Sequence, residues 1–408
     1  MNDFAIFMDW AEFAVRWLHV VTAIAWIGSS FYFIALDLGL RRDVPLPPGA
    51  SGEQWQVHGG GFYHIQKYMV APERMPEDLI WFKWESYWTW MSGFALLVLV
   101  YYLGADLYLV DPNVLDIPVW QAVAISVASL GLGWLMYDAI CKSRFGDDNT
   151  RLMVGLYVIL VAMAWGYSQV FSGRAALLHL GAFTATIMTA NVFAVIMPNQ
   201  RIVVADLIAG RVPDAKYGKI AKQRSTHNNY LTLPVVFLML SNHYPLAFAS
   251  EMNWLIASLV FLMGVTIRHW FNTHHAKKGS PHWTWAATAI LFVVIMWLSS
   301  APMFQPANEE AALPRGAERF ASAAGFEEVT DIVMGRCSMC HAAEPGWDGI
   351  HYAPGGVHLE TGGQIALQAR AIYLQAGVTH AMPPANVSFI EPAERARIVA
   401  WYRAAMAG

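Results

Sequence analysis

Charged residues are scarce in this sequence of 408 residues. Asp, Glu, Lys and Arg together make up 14% of it, whereas hydrophobic residues make up 56%. Average soluble proteins are nearer a quarter charged. The apolar residues occur in long runs, which is typical of a membrane protein. A formal net charge of -4 shows no basic excess, so nothing in the charge balance favours nucleic-acid binding.

Cysteine is also scarce, since the chain has only three. This number excludes a disulfide framework. Cys141 lies at the end of an apolar run, and we interpret it as a small packing residue. A basic segment is missing from the start, Met1-Asn2-Asp3-Phe4, and the first apolar run is too long for a signal peptide. We therefore expect no separate signal peptide.

The other two cysteines belong to the run CSMCH at 337–341. Two thiols three positions apart, followed at once by histidine, are the signature of covalent c-type haem attachment. Cys337 and Cys340 would bond the two vinyl groups of the haem, and His341 would be the proximal ligand of the iron. A zinc site or a redox dithiol is disfavoured because the histidine directly follows the second cysteine.

The sixth ligand of this iron should be soft and neutral. Met382, in the run THAMPP at 379–384, is our choice. A His/Met pair raises the reduction potential, which suits a haem that accepts electrons and passes them on. Met334 and Met339 lie too close to the attachment motif to cover the opposite face of the haem. The sequence thus predicts one covalent haem c.

Long apolar runs account for most of the remaining chain. A helical membrane span needs about 20 mostly apolar residues. Eight stretches qualify, at about 11–36, 86–110, 119–140, 152–172, 175–197, 229–250, 253–275 and 283–304. We therefore predict an all-α protein: an eight-helix transmembrane domain over residues 1–305, a linker over 306–314, and a small class I-like cytochrome c domain over 315–408.

The distribution of basic residues predicts the orientation of this bundle. The first, third, fifth and seventh connections hold nearly all the loop lysines and arginines, whereas the second, fourth and sixth hold only Arg174. The positive-inside rule places the basic loops in the cytoplasm and both termini outside. In bacteria, c-type haem is attached on the periplasmic side of the membrane. The CSMCH motif therefore requires the same orientation as the basic loops do. We expect a multi-pass protein of the bacterial inner membrane with a periplasmic cytochrome domain.

Two of the predicted cytoplasmic connections are unusually long. The first, about residues 37–85, contains HGGGFYH at 58–64, and its glycine and aromatic content indicates ordered structure such as a short hairpin. The connection at about 198–228 is basic and could hold an amphipathic helix on the membrane surface.

Histidines inside the predicted spans are functional candidates, because an ionisable group is costly in lipid. His19, His179 and His243 share the outer half of the membrane, next to the expected haem c domain. Two of them could ligate a b-type haem through neutral imidazole. The alternative is that each makes an ordinary hydrogen bond between helices.

A second polar group lies in the inner half of the predicted bundle. It comprises Glu85, His227 with the neighbouring amides Asn228 and Asn229, Arg268 and His269. A charged pair with imidazoles near the inner face could form a pocket for a polar, anionic, ring-shaped substrate. Arg268 would hold the negative charge, and Glu85 or a histidine would act as the base.

The sequence resembles a known family, the bacterial membrane-bound urate oxidases (urate hydroxylases). In this family an eight-helix membrane domain precedes a cytochrome c domain. The matching runs are HVVTAIAWIG at 19–28, HGGGFY at 58–63, WFKWE at 81–85, NVF at 191–193 with PNQ at 198–200, and HNNY at 227–230 with SNHYP at 241–245. The resemblance covers essentially the whole chain, including the order of the domains.

This resemblance implies an oxidoreductase that converts urate to 5-hydroxyisourate. Electrons would leave through haem c towards a soluble cytochrome c or a terminal oxidase. The roles given above to Glu85, His227, Arg268 and His269 come from depth and charge, and the family supplies none of them. The oligomeric state is not indicated.

Two other functions fit the same pattern. A quinol:cytochrome c oxidoreductase would use the outer histidines for haem b and would not need Arg268. A purine transporter with a fused cytochrome would show paired Gly or Pro interruptions near mid-membrane. Only Pro234 interrupts a span in this way, and the fused haem motif favours electron transfer.

Overall fold

The computed structural model describes residues 4–72, 75–300 and 312–407. Most of the predicted linker, residues 306–311, lies outside the described residues. Long helices dominate, and the strands in the described part form one antiparallel hairpin. The all-α prediction is therefore confirmed in its main feature.

Eight long helices occur at the places of the eight predicted spans. They are α1 Phe4–Gly39, α2 Trp84–Leu96, α3 Val119–Lys142, α4 Asn149–Ser168, α5 Gly173–Ala190, α6 Ala215–Leu240, α7 Asn253–His275 and α8 Trp283–Ser300. A π-helical turn Leu97–Tyr102 extends α2, and a π-helical turn Asn191–Ile196 joins α5 to a further segment, Met197–Ile208. Single helical turns lie at Ala105–Tyr108 and Pro245–Phe248.

Six helices in the described part of the chain are long and apolar enough to cross a membrane: α1, α3, α4, α7, α8 and the continuous helix Gly173–Ile208. The helices α2 and α6, at the other two predicted spans, do not meet this criterion. Helix α6 begins with a polar half, AKYGKIAKQRSTHNN. The count of eight spans therefore stays a prediction.

Polar side chains fix the starts of several of these helices. The side chains of Asp148, Ser172 and Asp214 accept hydrogen bonds from backbone N–H groups in the first turns of α4, α5 and α6. Such caps satisfy donors that have no partner within the helix. The capped start of α6 at residue 215 corrects one prediction. Residues 198–228 form no separate surface helix, because they extend the two neighbouring membrane helices and leave only 209–214 as a connection.

The core of the bundle lies around α5, which packs against α3, α4 and α6. Leu180 and Phe183 of α5 are fully or almost fully buried there. Helices α6 and α7 approach closely where Gly264 faces Pro234, since a Cβ at Gly264 would stand only 2.5 Å from Pro234 Cδ. A small residue at such a crossing lets two membrane helices come together.

The predicted hairpin in the first long connection is confirmed. Strands β1 Ala50–His58 and β2 Gly61–Tyr68 pair antiparallel, with His58 opposite Gly61. Gly59 and Gly60 form the turn with positive φ angles of 60° and 80°, a conformation that glycine adopts without strain. The hairpin contacts the end of α1, where Lys67 Nζ lies 2.5 Å from Asp37 Oδ1.

Residues 312–407, here called the C-terminal segment, have a hydrophobic core of their own. Its main helices are α9 Arg315–Ala321, α10 Phe326–Arg336, α11 Gly362–Leu367 and α12 Pro392–Ala407, with single turns at Ser338–His341 and Ala369–Ile372. The last of these helices packs on the first. Trp401 Nε1 of α12 donates to Phe320 O of α9 at 3.0 Å, and the Phe320 and Tyr402 rings stack.

The C-terminal segment contacts one end of the helical bundle. Arg370 approaches Asp9 and Glu12 at the start of α1, at 3.4 and 3.5 Å. Arg315 Nη2 lies 2.8 Å from Asp116 Oδ1, in the connection after α2. The hairpin lies at the opposite end of α1. About 30 residues of this helix separate the two contacts, which is about 45 Å along the helix axis. The segment and the hairpin therefore lie at opposite ends of the bundle.

Candidate functional site

The run CSMCH occupies a tight turn at the end of α10. Backbone N–H groups of Cys340 and His341 donate to the carbonyl oxygen of Cys337 at 3.1 and 3.0 Å. This turn brings both thiols and the imidazole to the wall of one crevice. The crevice has about 760 Å³ of space free of protein atoms, a volume that includes part of the open solvent.

Met382 lies on the wall of the same crevice. Apolar side chains, among them Trp347, Leu359 and Ile372, supply most of the remaining surface. The residues chosen from sequence for thioether bonds and for the two axial ligands are thus brought together. Met339 also lines the crevice, but it belongs to the attachment turn itself.

A hydrogen bond orients the imidazole of His341. Its Nδ1 lies 2.9 Å from the carbonyl oxygen of Val357, which can only accept, so Nδ1 carries the proton. The lone pair is then on Nε2, the nitrogen that remains free to bind a metal. Ligand histidines are commonly held in this way by a carbonyl oxygen.

The loop that carries Met382 is held by a buried arginine. Arg395 of α12 donates to the carbonyl oxygens of Ala376 and Met382, the latter at 2.9 Å, and to Asn386 Oδ1 at 3.1 Å. The backbone N–H of Met382 also donates to Gln375 O at 3.0 Å. These bonds fix the loop against the crevice.

The thiols themselves are not activated. Burial raises the pKa of the Cys337 thiol to about 11 and also raises the pKa of Cys340. A redox dithiol needs a lowered thiol pKa to react as thiolate. The crevice, its donor set and its apolar walls fit a covalently bound haem, which was the sequence interpretation.

In the bundle, Arg268 of α7 is the main feature of the inner group. Its side chain is only 4% exposed, and no carboxylate pairs with it in the described part of the chain. It donates to Asn229 Oδ1 at 3.3 Å and to Asn272 Oδ1 at 3.0 Å. Its guanidinium stands 4.0 Å from the centroid of the Phe31 ring. A buried cation without an acidic partner favours binding of an anion.

His227 belongs to a different polar cluster on the other side of α6. Its Nδ1 lies 2.7 Å from Tyr137 Oη, and its buried Nε2 has no partner. Asn191, in the π-helical turn after α5, donates to Tyr137 Oη and accepts from Arg224. Arg224 in turn donates to Asp138 at 2.7 Å. His227 and Asn229 are two positions apart on one helix, so they face different neighbours.

Glu85 and His269 are not brought to Arg268 by any described contact. Glu85 is half-buried in the first turn of α2, where a helix N-terminus stabilises a carboxylate. His269 is exposed beside Tyr230 and Trp283. Of the four predicted catalytic residues, the structure thus places Arg268 and His227 in buried polar clusters, and these clusters are separate.

The three outer histidines have separate surroundings. His19 Nδ1 contacts Thr89 O at 2.9 Å, and its ring packs on Gly93 of α2. His179 is fully buried, with Nδ1 on Ala175 O at 2.8 Å. His243 is exposed. No contact in the described part of the chain therefore joins these three histidines to one another.

The surroundings of His179 test the haem b prediction. Its Nε2 has no partner, as an axial ligand would require. However, the rings of Phe171, Tyr101 and Tyr167 stand 4.7, 5.7 and 6.0 Å from the imidazole. The imidazole of His179 is thus surrounded by aromatic side chains, and haem b ligation by the outer histidines stays a prediction.

Several residues of these clusters were missed by the sequence reasoning. They are Tyr137, Asp138, Asn191, Arg224 and Asn272. Asp138 lies inside a predicted span, so the cost of a charge in lipid could have identified it. Arg224 was counted as a loop residue because the start of α6 was placed too late.

Comparison with known proteins identifies the family of the bundle. No curated protein and no solved structure shows a significant match to the chain. The family model described as "Urate oxidase N-terminal" matches residues 5–299, which include all eight long helices and the hairpin but none of the C-terminal segment. The chain therefore belongs to the urate oxidase N-terminal family.

Proposed function

We propose that this protein is a membrane-bound urate oxidase that converts urate to 5-hydroxyisourate and passes the electrons to a haem c held by the C-terminal segment. The family match supports a urate-related oxidoreductase. The single observation that carries the substrate assignment within the bundle is the buried Arg268, which has no acidic partner among the described residues. A quinol is neutral and would not need this cation.

The reaction requires a base that accepts protons as well as an acceptor of electrons. Conversion of urate to 5-hydroxyisourate removes two electrons and two protons and adds the oxygen of one water. Arg268 binds the urate anion, and Asn229 offers a buried amide Nδ2 that has no partner in the described structure. Glu85 and His227 are the two predicted candidates for the base, although neither contacts Arg268 in the described structure. The Nδ1 of His227 is hydrogen-bonded to Tyr137, and its buried Nε2 has no partner in the described structure.

In the C-terminal segment, Cys337 and Cys340 would hold the haem covalently, with His341 and Met382 as the axial ligands. A haem bound in this way accepts and donates one electron at a time. The chain's own residues orient His341 through Val357 and fix the Met382 loop through Arg395. A soluble cytochrome c or a terminal oxidase is the proposed acceptor of the electrons.

The proposed location is the bacterial inner membrane, with both termini and the C-terminal segment in the periplasm. The segment packs at one end of the bundle, and the long basic connections lie at the other end. This arrangement supports the predicted orientation, since the positive-inside rule places the basic end in the cytoplasm.

Visible spectra of the purified protein test the proposal. Urate added without oxygen should produce the reduced haem c spectrum, and 5-hydroxyisourate should appear in the same sample. Glu85→Gln and His227→Gln should separate the two candidate bases, because only loss of the true base abolishes reduction by urate while dithionite still reduces the haem. Reduction by a quinol and not by urate would refute the assignment.

A further inference from the structure

An open cavity lies at the end of the bundle opposite the C-terminal segment. Its walls come from the end of α1, from β1 of the hairpin and from the end of α7 with the following turn. The polar residues that line it are Gln54, His274, His275, Lys277 and Ser280. None of the described lining residues is acidic. We call it the basal cavity. Its polar, cation-bearing wall is suited to an anion.

Two polar atoms at this cavity lack partners. Gln54 Oε1 and His275 Nδ1 are buried and make no hydrogen bond in the described structure. Buried polar atoms are nearly always paired in folded proteins, so unpaired atoms at a cavity indicate a ligand or ordered water. Gly39 lies between Gln54 and His275 at the cavity wall. A Cβ at Gly39 would stand 3.8 Å from Gln54 Nε2 and from the His275 carbonyl oxygen.

One face of α7 leads from this cavity towards Arg268. Arg268, Asn272 and His275 are at positions i, i+4 and i+7, which lie on the same side of a helix. Arg268 and Asn272 are joined by a hydrogen bond of 3.0 Å. His275 is about 10 Å from Arg268 along the helix axis at 1.5 Å per residue. The face thus presents polar groups at each turn from the cavity to the buried cation.

We infer that the substrate anion reaches Arg268 through the basal cavity, from the membrane face opposite the C-terminal segment. This inference rests on the proposed function, because it assumes that Arg268 binds the substrate. Lys277 attracts the anion at the mouth, and the polar residues Gln54 and His275 line the way. Substrate would then enter at one face of the membrane, and electrons would leave at the other.

Sealed membrane vesicles of the two orientations provide the first test. Added protease identifies the orientation, since it removes the C-terminal segment only where that segment faces outward. Urate is an anion and crosses bilayers slowly. We expect immediate urate oxidation in vesicles whose C-terminal segment is enclosed, and oxidation only after detergent in those whose segment is exposed.

The inference would be overturned by immediate oxidation in vesicles whose C-terminal segment is exposed, with oxidation only after detergent in those whose segment is enclosed. This result would leave the proposed function intact. Absence of oxidation in both preparations after detergent, with haem c still reducible by dithionite, would overturn the proposed function and the inference with it. The two failures are therefore distinguishable.

Variants of the cavity give a second test in the full-length protein. Gly39→Leu fills the space between Gln54 and His275, and kcat/KM for urate should fall at least tenfold. Gly39→Ala is the matched control, because its Cβ makes only ordinary contacts. Lys277→Gln should raise KM for urate about three- to tenfold with kcat unchanged, whereas Lys278→Gln, outside the cavity wall, should change neither. Equal kinetics in Gly39→Leu and Gly39→Ala would refute the route.

Discussion

Arg395 donates a hydrogen bond to the backbone carbonyl oxygen of Met382 at 2.9 Å, and this contact ties the last helix to the loop that faces the crevice. The side chain is 8% exposed and its other bonds also go to oxygen acceptors, at Ala376 and Asn386. It therefore acts on the crevice through the backbone of the Met382 loop. Arg395 is a positioning residue for the proposed axial ligand.

Replacing Arg395 with Gln should loosen this loop. Hydrogen bonds from a charged donor contribute about 1.5–3 kcal/mol. A loss of about 2 kcal/mol corresponds to roughly 30-fold faster hydrogen exchange. We expect that increase for the backbone amides at 376–390, measured by mass spectrometry. Arg397→Gln is the control, because Arg397 pairs with Glu328 on the surface, where an ion pair contributes about 0–1 kcal/mol. Equal exchange in the two variants would contradict the role of Arg395.

A second ion pair makes the stability of the C-terminal segment depend on pH. Burial alone would raise the pKa of Glu394, but the Glu391 N–H and the Arg336 guanidinium outweigh it and lower the pKa of this carboxyl. A carboxyl whose pKa is lowered by folding stabilises the folded state above its ordinary pKa, and this stabilisation is lost as the pH falls through the lowered value.

Glu394→Gln should therefore lower the urea midpoint of the segment at pH 7, and the difference from the unmodified chain should shrink in acid. The loss at pH 7 should be about 1 kcal/mol, because the pair is doubly hydrogen-bonded but only half-buried, so water screens it. The Soret band of the proposed haem can report unfolding. Glu391→Gln is the control, since Glu391 is exposed. A difference that is constant with pH would refute the ion-pair explanation.

The cysteines give a direct test of covalent attachment. Cys337→Ser and Cys340→Ser should each remove one of the two thioether bonds, and the double variant should carry no haem after denaturing electrophoresis with peroxidase staining. Cys141→Ser should stain like the unmodified chain, because Cys141 lies in the bundle at the end of α3. Staining of the double variant would exclude thioether attachment at this motif.

The crevice was predictable from sequence because its chemistry is local. Cys337, Cys340 and His341 lie within one turn, so their spacing in the sequence is enough to predict that the three side chains lie close together. Met382 required a chemical argument about soft ligands, and the structure brings it to the same crevice. The hydrogen bond from His341 to the Val357 carbonyl oxygen and those from Arg395 could not be foreseen, because they join residues distant in sequence through the fold.

The bundle was predictable only in outline. Long apolar runs located the helices, but hydropathy does not determine which face of a helix meets which neighbour. His227 and Asn229 were therefore grouped as one site, although they face opposite sides of α6. His269 was grouped with Arg268 by sequence adjacency, whereas adjacent helical positions point about 100° apart.

The buried pair of Asp138 and Arg224 should stabilise the bundle strongly. Their side chains are 10% and 2% exposed, and the closest atoms are 2.7 Å apart. Asp138→Asn would leave the Arg224 charge buried without its counter-ion, and such a loss costs about 3–5 kcal/mol. We expect a clear fall in the thermal midpoint in detergent. Lys142→Gln is the control, because this partner of Asp138 is 71% exposed and should contribute under 1 kcal/mol.

Arg268 is the residue on which the substrate assignment depends, and its replacement should separate binding from folding. Arg268→Gln keeps a polar group near Asn229 and Asn272 but removes the positive charge. We expect KM for urate to rise at least tenfold, since a charge-assisted bond contributes more than about 1.4 kcal/mol. Reduction of the haem by dithionite should be unchanged. Arg211→Gln is the control, because Arg211 forms an exposed pair with Asp206. Unchanged urate kinetics in Arg268→Gln would show that Arg268 does not bind the substrate and that the substrate site is not at this part of α7.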